Sequence, residues 1–435
     1  MNPFLKFTQD TSILLGNLDS LKGGYIPDKL PHREMEIDFL VKVLASVLRN
    51  MRPSNVIVYG KTGTGKTSVV RHVSRLLEEA AGDKVKTMYL NCQIYDSPYS
   101  ILINVVNSLS DPSNDSIPQL GWPFDRIYQE AVTRLERNGQ YYLLVLDEID
   151  KIVNKSGSDS LYSILKLLDD TESSRVSLIG ITNDTGFSEK LDARVRSRLN
   201  NESLMFSPYN ANQIKDILRY RLDGIVREGV VEESALNLCA AIGAQEHGDA
   251  RKSLDLLRIA IELAIRDGKQ KVTEAEIYAA RDKFDMNVLE EAIRSLPLHS
   301  KLVLLSAVVT QEISQGLMIT GEIFENYRNL CSELGFTPLS SRRISDVISE
   351  LEEFGLLNSS TRSMGRYGRT RFIKVTGEPA TFKHYLLEDD NLASFRGSRI
   401  VKQSRFENVS GTPENKDSVD RVLKNISEGK PEEPN

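Results

Sequence analysis

The chain has 435 residues, a formal net charge of −6 and a pI near 5.7, which predicts two or three domains and excludes a chain that is basic throughout. Contact with nucleic acid therefore has to come from local clusters of charge rather than from the total. Three cysteines, Cys92, Cys239 and Cys331, are far apart and in no Cys-x-x-Cys spacing, which excludes a disulfide scaffold and a zinc motif and fits reduced, buried thiols.

The opening residues lack a basic segment followed by an apolar core, and no apolar run approaches the ~18–20 residues that span a bilayer. A cytoplasmic protein without a membrane partner is expected. Residues 55–59 form a short β-branched run, 66–80 have helical spacing, and 85–90 read as a strand. Helical stretches follow near 98–109 and 124–137, then an unbroken apolar run at 141–146 and another strand candidate at 176–182. Apolar strands alternating with helices predict a parallel sheet covered on both faces, an α/β domain over residues 1–209. Strand signals then stop. Segments 212–227, 233–244, 249–266 and 273–284 read as amphipathic helices, the last opened by a Thr273/Glu276 capping box. A small helical lid over 210–286 is the result. Beyond it, helical segments near 298–313, 320–334 and 340–354 precede Gly355 and two short strands. Three helices and a Gly-containing hairpin predict a winged helix over 287–386. Residues 387–435 are charged and poor in aromatics, and are expected to be a disordered tail.

Gly60-Lys61-Thr62-Gly63-Thr64-Gly65-Lys66-Thr67 matches G-x-x-x-x-G-K-[ST] between a strand and a helix, the context a P-loop requires. Its glycines let backbone N–H groups turn toward phosphate, and the following helix offers its N-terminus to the same anion. Lys66 is expected to reach the β- and γ-phosphates and Thr67 to ligate Mg²⁺. Asp147 and Glu148 follow the 141–146 run, at the carboxyl end of a strand where ligands of such sheets sit. Asp147 suits the metal, usually through water, and Glu148 the general base for an attacking water. Asn183, after the 176–182 strand, can orient water or the γ-phosphate, though its Asn-Asp-Thr-Gly setting also makes an ordinary turn. Arg194, Arg196 and Arg198 recur at spacing two and cannot all share one helix face. One could act as an arginine finger on a neighbouring subunit's nucleotide, or all three could form a solvated basic patch. Arg251 begins a lid helix, where a cation is mismatched to the helix dipole and a ligand role gains weight.

Together these residues resemble an AAA+ ATPase, and more narrowly the archaeal replication-initiator family related to the origin recognition complex and its helicase loader. The resemblance spans about residues 10–385. Its specific parts are the Pro31-His32-Arg33-Glu34 lead-in and Gly248-Asp249-Ala250-Arg251; the P-loop and Leu146-Asp147-Glu148-Ile149-Asp150 are generic to many ATPases. The resemblance implies a sensor 1 role for Asn183, a sensor 2 role for Arg251, and Arg198 ahead of Arg194 as finger. It places Ile26, Pro31 and Arg33 beside the adenine. The nucleotide contacts then comprise Ile26, Arg33, Gly60, Lys61, Thr62, Gly63, Thr64, Gly65, Lys66, Thr67, Ser68, Tyr209, Arg221 and Arg251, for ATP or ADP with Mg²⁺. An initiator-specific insertion that touches DNA falls within about 95–125. That stretch holds no Lys or Arg, so backbone and helix-terminus contacts are what it can offer.

Ser340-Ser341-Arg342-Arg343 opens the third helix of the last domain, the part of a helix-turn-helix that enters the major groove. Residues 359–375 carry Arg362, Arg366, Arg369, Arg371 and one lysine, and no acid, which suits minor-groove or phosphate contact. The alternative is a solvated hairpin whose charges protect an edge strand. The expected function is an ATP-dependent initiator with slow, switch-type hydrolysis. Its partners would be double-stranded origin DNA and the replicative helicase or a paralogous initiator, with a monomer in solution and multimers on DNA left open. The rivals are a branch-migration motor and an ATP-dependent transcription regulator.

Overall fold

The computed structural model describes residues 13–110, 117–119, 121–137, 139–199, 202–314, 318–363 and 369–397. Two compact units divide the chain at 282/283. In the first, strands β1 (Val56–Gly60), β2 (Val85–Asn91), β3 (Tyr141–Asp147), β4 (Arg175–Thr182) and β5 (Glu202–Phe206) form an all-parallel sheet in the order β2-β3-β4-β1-β5. The period of two along each strand splits the core into two layers. Val56 and Val58 of β1 and Leu143 and Val145 of β3 pack with Leu40 and Leu44 of α1 (Glu34–Leu44) and Val69 and Val73 of α2 (Lys66–Ala81). Ile57, Tyr59, Leu144 and Leu146 face the other way. They pack with α3 (Pro98–Ser108), α4 (Phe124–Glu136), α5 (Asp150–Ser156), α6 (Asp159–Asp169) and α7 (Ala193–Leu199).

Strand β5 departs from the expected pattern: its burial alternates, as befits an edge strand covered on one face, so it has no continuous apolar run to reveal it. Register does the rest. Tyr59 pairs with Thr182 and Asp147 with Ile181, which sets the carboxyl ends of β1, β4 and β3 side by side. The P-loop, Asn183 and Asp147 leave from those three ends.

The lid is built from α8 (Ala211–Leu222), α9 (Glu233–Gln245), α10 (Ala250–Arg266) and the start of α11 (Glu274–Ser295). The Thr273/Glu276 pair is present: Glu276 Oε2 accepts from Thr273 N at 2.7 Å, and Thr273 Oγ1 accepts from Ala275 N at 3.3 Å. α11 continues past the expected domain end at 286, because no Gly or Pro interrupts the chain until Pro297.

In the second unit α12 (Leu298–Ser314) is a central helix, buried without a break from Ser300 to Thr310. Around it lie α13 (Thr320–Leu334), α14 (Ser341–Glu353) and α15 (Pro379–Glu388). An antiparallel sheet β6-β8-β7 is made of β6 (Met318–Ile319), β7 (Leu357–Ser363) and β8 (Arg369–Val375). This is the expected winged helix, with β6 added as a two-residue third strand. The core extends past 386: Leu392 and Phe395 are buried with Phe382 and Leu386, and the described chain runs to 397. Most of the expected tail, 398–435, lies outside the described residues, as does the hairpin tip 364–368. Among the described residues no helix is long and apolar enough to cross a membrane.

Candidate functional site

The P-loop closes on itself through Thr64, whose hydroxyl donates to Lys61 O at 2.8 Å. Gly63 and Gly65 take left-handed φ values of 74° and 89°. A Cβ on Gly63 would stand 1.8 Å from Asp249 Oδ1, and one on Gly65 would stand 2.8 Å from the Tyr209 hydroxyl, so both positions exclude larger residues by conformation and by space. Lys66 opens α2 and folds back into the loop. Its Nζ donates to Gly60 O at 2.8 Å, Lys61 O at 2.7 Å and Asn183 Oδ1 at 2.7 Å. All three are uncharged oxygens. Burial, reinforced by the Arg251 charge and opposed by Asp147, Asp249 and Glu148, lowers the Lys66 pKa to about 8. A buried ammonium with a second cation nearby and no carboxylate in contact is an anion site.

Arg251 supplies that second cation. Its side chain runs along Gly23, where a Cβ would meet Arg251 Cγ at 3.3 Å. The helix-dipole mismatch at its position is met by Asp249, whose carboxylate accepts from the N–H groups of Arg251 and Lys252 at 2.8 and 3.2 Å. A backbone bond from Ala250 N to Gly63 O, 3.3 Å, ties the start of α10 to the P-loop.

Asp147 ends β3 with three donors on its carboxylate. Oδ1 accepts from Glu148 N at 3.0 Å, and Oδ2 accepts from Thr67 Oγ1 at 2.8 Å and from the Tyr89 hydroxyl. Burial, and then the bond to Asp147, push the Tyr89 phenol well above its usual pKa. Glu148 sits at φ 56°, an uncommon conformation for a residue with a side chain, and its carboxylate accepts no hydrogen bond among the described residues. Thr67 and Asp147 offer hard oxygens to a divalent cation. Among the described residues no group of three or more His, Cys, Asp or Glu could hold a metal ion.

Ile26 and Ser68 are half-buried, and Lys61 and Thr62 are exposed at the loop. Arg33, expected beside the adenine, is instead 4% exposed and spends its guanidinium on the protein. Nε donates to Thr64 O and Tyr209 Oη, Nη1 pairs with Glu36 at 2.6 Å, and Nη2 donates to Ser207 O at 2.7 Å. Tyr209 is equally buried, its ring 4.0 Å beneath the Arg33 guanidinium. Arg221 donates to Ser20 O at 2.6 Å and Tyr25 O at 3.0 Å over the Tyr25 ring. All three brace the P-loop or the lead-in from behind, because buried donors must find partners inside the fold.

Arg194 and Arg198 stand one turn apart over the Tyr162 ring, while Arg196 turns away to donate to Leu191 O. Arg198 pairs with Asp169 at 3.0 Å, and its carbonyl accepts from Asn55 at 2.9 Å. Asn55 precedes β1, whereas the P-loop follows it, so neither arginine is brought to this chain's own phosphate site.

In the second unit Ser340 caps α14, accepting from Arg343 N at 3.4 Å, and Ser341, Arg342 and Arg343 are exposed. Arg371 is not a free wing cation. It donates to Ser359 Oγ at 2.9 Å and Ser349 Oγ at 3.0 Å and pairs with Glu352. Arg362 pairs with Thr370 and Arg369 with Ser363 at the end of the ladder, with arginine side chains outside the description, and Arg366 lies outside the described residues.

A five-stranded parallel sheet with a P-loop after its switch-point strand, an acidic pair on β3, Asn183 on β4 and an arginine at the start of a helical lid define an AAA+ ATPase domain, here followed in the chain by a winged helix. Family models agree: an AAA ATPase domain matches residues 29–179, a Cdc6 AAA+ ATPase-type lid domain 215–282 and a Cdc6 C-terminal winged-helix domain 291–384. ORC1-type DNA replication protein 2 of Thermoplasma acidophilum is 56% identical over 406 residues, 93% of this chain and 99% of that one. The ORC1-type protein of Thermococcus kodakarensis is 42% identical over 393 residues, 90% and 95% of the two chains. The solved structure of the Aeropyrum pernix ORC1 protein in complex with DNA is 40% identical, covers 88% of this chain and 99% of its own, and superposes with a TM-score of 0.76. The chain belongs to the archaeal ORC1/Cdc6 family of DNA replication initiation proteins.

Proposed function

We propose that this chain is an ATP-switched replication initiator that binds duplex DNA at an origin and helps open it or recruit the replicative helicase. The observation that carries the reading is the P-loop cation Lys66, buried on neutral oxygens beside Arg251, a pocket whose electrostatics call for a polyphosphate. The P-loop N–H groups and the start of α2 hold the phosphates, Lys66 bridges the β- and γ-phosphates, and Arg251 meets the γ-phosphate from the lid. Thr67 and Asp147 would hold Mg²⁺, which would supply neutralising charge for the phosphate oxygens. Glu148, its carboxylate unengaged, takes the proton of the attacking water, and Asn183 orients that water once Lys66 turns to phosphate. Arg198 pairs with Asp169 and lies beside Asn55, at the opposite end of β1 from the P-loop, which supports slow, switch-type hydrolysis that gains a finger only from another subunit.

On the DNA side, the exposed Ser340–Arg343 turn supports major-groove docking by α14, as in helix-turn-helix proteins. The DNA complex of the Aeropyrum pernix relative supports the same partner. The test is duplex binding by the full chain across a salt series, for wild type and for Arg342→Ala with Arg343→Ala. Loss of these cations lowers affinity and flattens the salt slope by about 2. Unchanged affinity and slope would remove α14 from the interface.

A further inference from the structure

We infer that Tyr89 is a positioning residue for magnesium: it aims the Asp147 oxygen through which the carboxylate takes nucleotide-bound Mg²⁺. The inference rests on the nucleotide reading above and assigns a task to a residue that carries no motif. Tyr89 lies on β2, the edge strand beside β3, and pairs with Val145 two residues before Asp147. Its hydroxyl donates to Asp147 Oδ2, the same oxygen that accepts from Thr67 at 2.8 Å. The other oxygen accepts from Glu148 N at 3.0 Å. Three donors on one carboxylate leave it no rotamer freedom, and two of them converge on the oxygen nearest the Thr67 hydroxyl.

The ring is itself held. The Arg71 guanidinium lies 3.7 Å above its centroid, and Arg71 follows Thr67 by one turn of α2. One helix face therefore grips Asp147 twice, directly through Thr67 and indirectly through Arg71 and Tyr89. A carboxylate that binds magnesium through water does so by accepting hydrogen bonds from those waters, whose geometry depends on its acceptor direction, and outer hydrogen-bond partners of metal-site carboxylates set that direction. A tyrosine that merely covered the sheet edge would need only its ring.

Tyr89→Phe keeps the ring beneath Arg71 and removes the hydroxyl. The experiment measures affinity for a fluorescent ATP analogue, with the full chain, in EDTA and over a Mg²⁺ titration. In EDTA the variant binds as the wild type does. The tightening that Mg²⁺ brings is reduced by about 10-fold, with the Mg²⁺ midpoint displaced upward to match. Arg71→Leu, which leaves the hydroxyl but frees the ring, shows the same signature in smaller measure and serves should Tyr89→Phe fold poorly. An unreduced Mg²⁺ gain overturns the inference. Equal losses with and without Mg²⁺ also overturn it, since they mark a purely structural tyrosine. A wild type that gains nothing from Mg²⁺ would instead overturn the nucleotide reading on which the inference stands.

Discussion

Lys66 makes the phosphate site sensitive to pH in a direction opposite to a carboxylate site. Its folded-state pKa is lowered to about 8, first by burial and then by Arg251. A bound triphosphate stabilises the charged form, so only the ammonium binds well and the pKa rises in the complex. With a midpoint near 8, the free protein carries about nine-tenths of Lys66 charged at pH 7 and about one-tenth at pH 9, so apparent ATP affinity falls about tenfold between them. ATP itself contributes little, because its last phosphate ionisation lies near pH 6–7. The assay is calorimetric titration with MgATP in buffers of different ionisation enthalpy. It should show weaker binding and net proton uptake as pH passes 8. In Arg251→Ala the second cause is removed, and the knee moves upward toward the ordinary lysine value. The unliganded protein behaves in the reverse sense. Between pH 8 and the unfolded value near 10.5 the unfolded chain holds the extra proton, so the Lys66 contribution to stability rises with pH. Affinity that is flat from pH 7 to 9, or proton release on binding, would refute the description of Lys66 as a buried cation awaiting an anion.

Arg33→Ala leaves Glu36 buried without its partner and should cost about 3–5 kcal/mol. Trp122, the single tryptophan, belongs to the ATPase unit, so urea unfolding followed by its fluorescence reads that unit alone. Arg371→Ala removes two serine bonds and the Glu352 pair and should lower winged-helix stability by about 1–2 kcal/mol, measured by thermal circular dichroism. It should change the DNA salt slope less than Arg342→Ala does. Truncation after Glu388 deletes buried Leu392 and Phe395 and should cost about 3–5 kcal/mol in the same melt.

What could be read from sequence was whatever short spacing encodes. The P-loop is eight consecutive residues, Asp147 and Glu148 directly follow an apolar run, and the Ser340–Arg343 turn announces its own helix. Placement by long-range packing stayed hidden. Arg33 reads as a ligand residue until Tyr209, 176 positions away, and Ser207 are seen to consume its donors. Arg371 reads as a wing cation until Glu352 comes beside it. Tyr89 is one aromatic in a strand, and nothing local tells of the aspartate on the neighbouring strand. Asp249 caps α10, and its side chain also fills the space that Gly63 leaves, a contact between residues 186 positions apart that no local spacing encodes. β5 escaped because an edge strand buries only alternate residues, and the ordered end of the chain escaped because Leu392 and Phe395 are isolated apolar residues in a polar stretch.

The account depends on a polyphosphate pocket assembled around Lys66. Equilibrium binding of MgATP to the full-length protein and to Lys66→Ala addresses it directly. One site per chain is predicted, weakened at least tenfold by the substitution because the buried cation is the chief anion partner. Wild-type protein that binds no MgATP, or a variant that binds it equally well, would contradict the account.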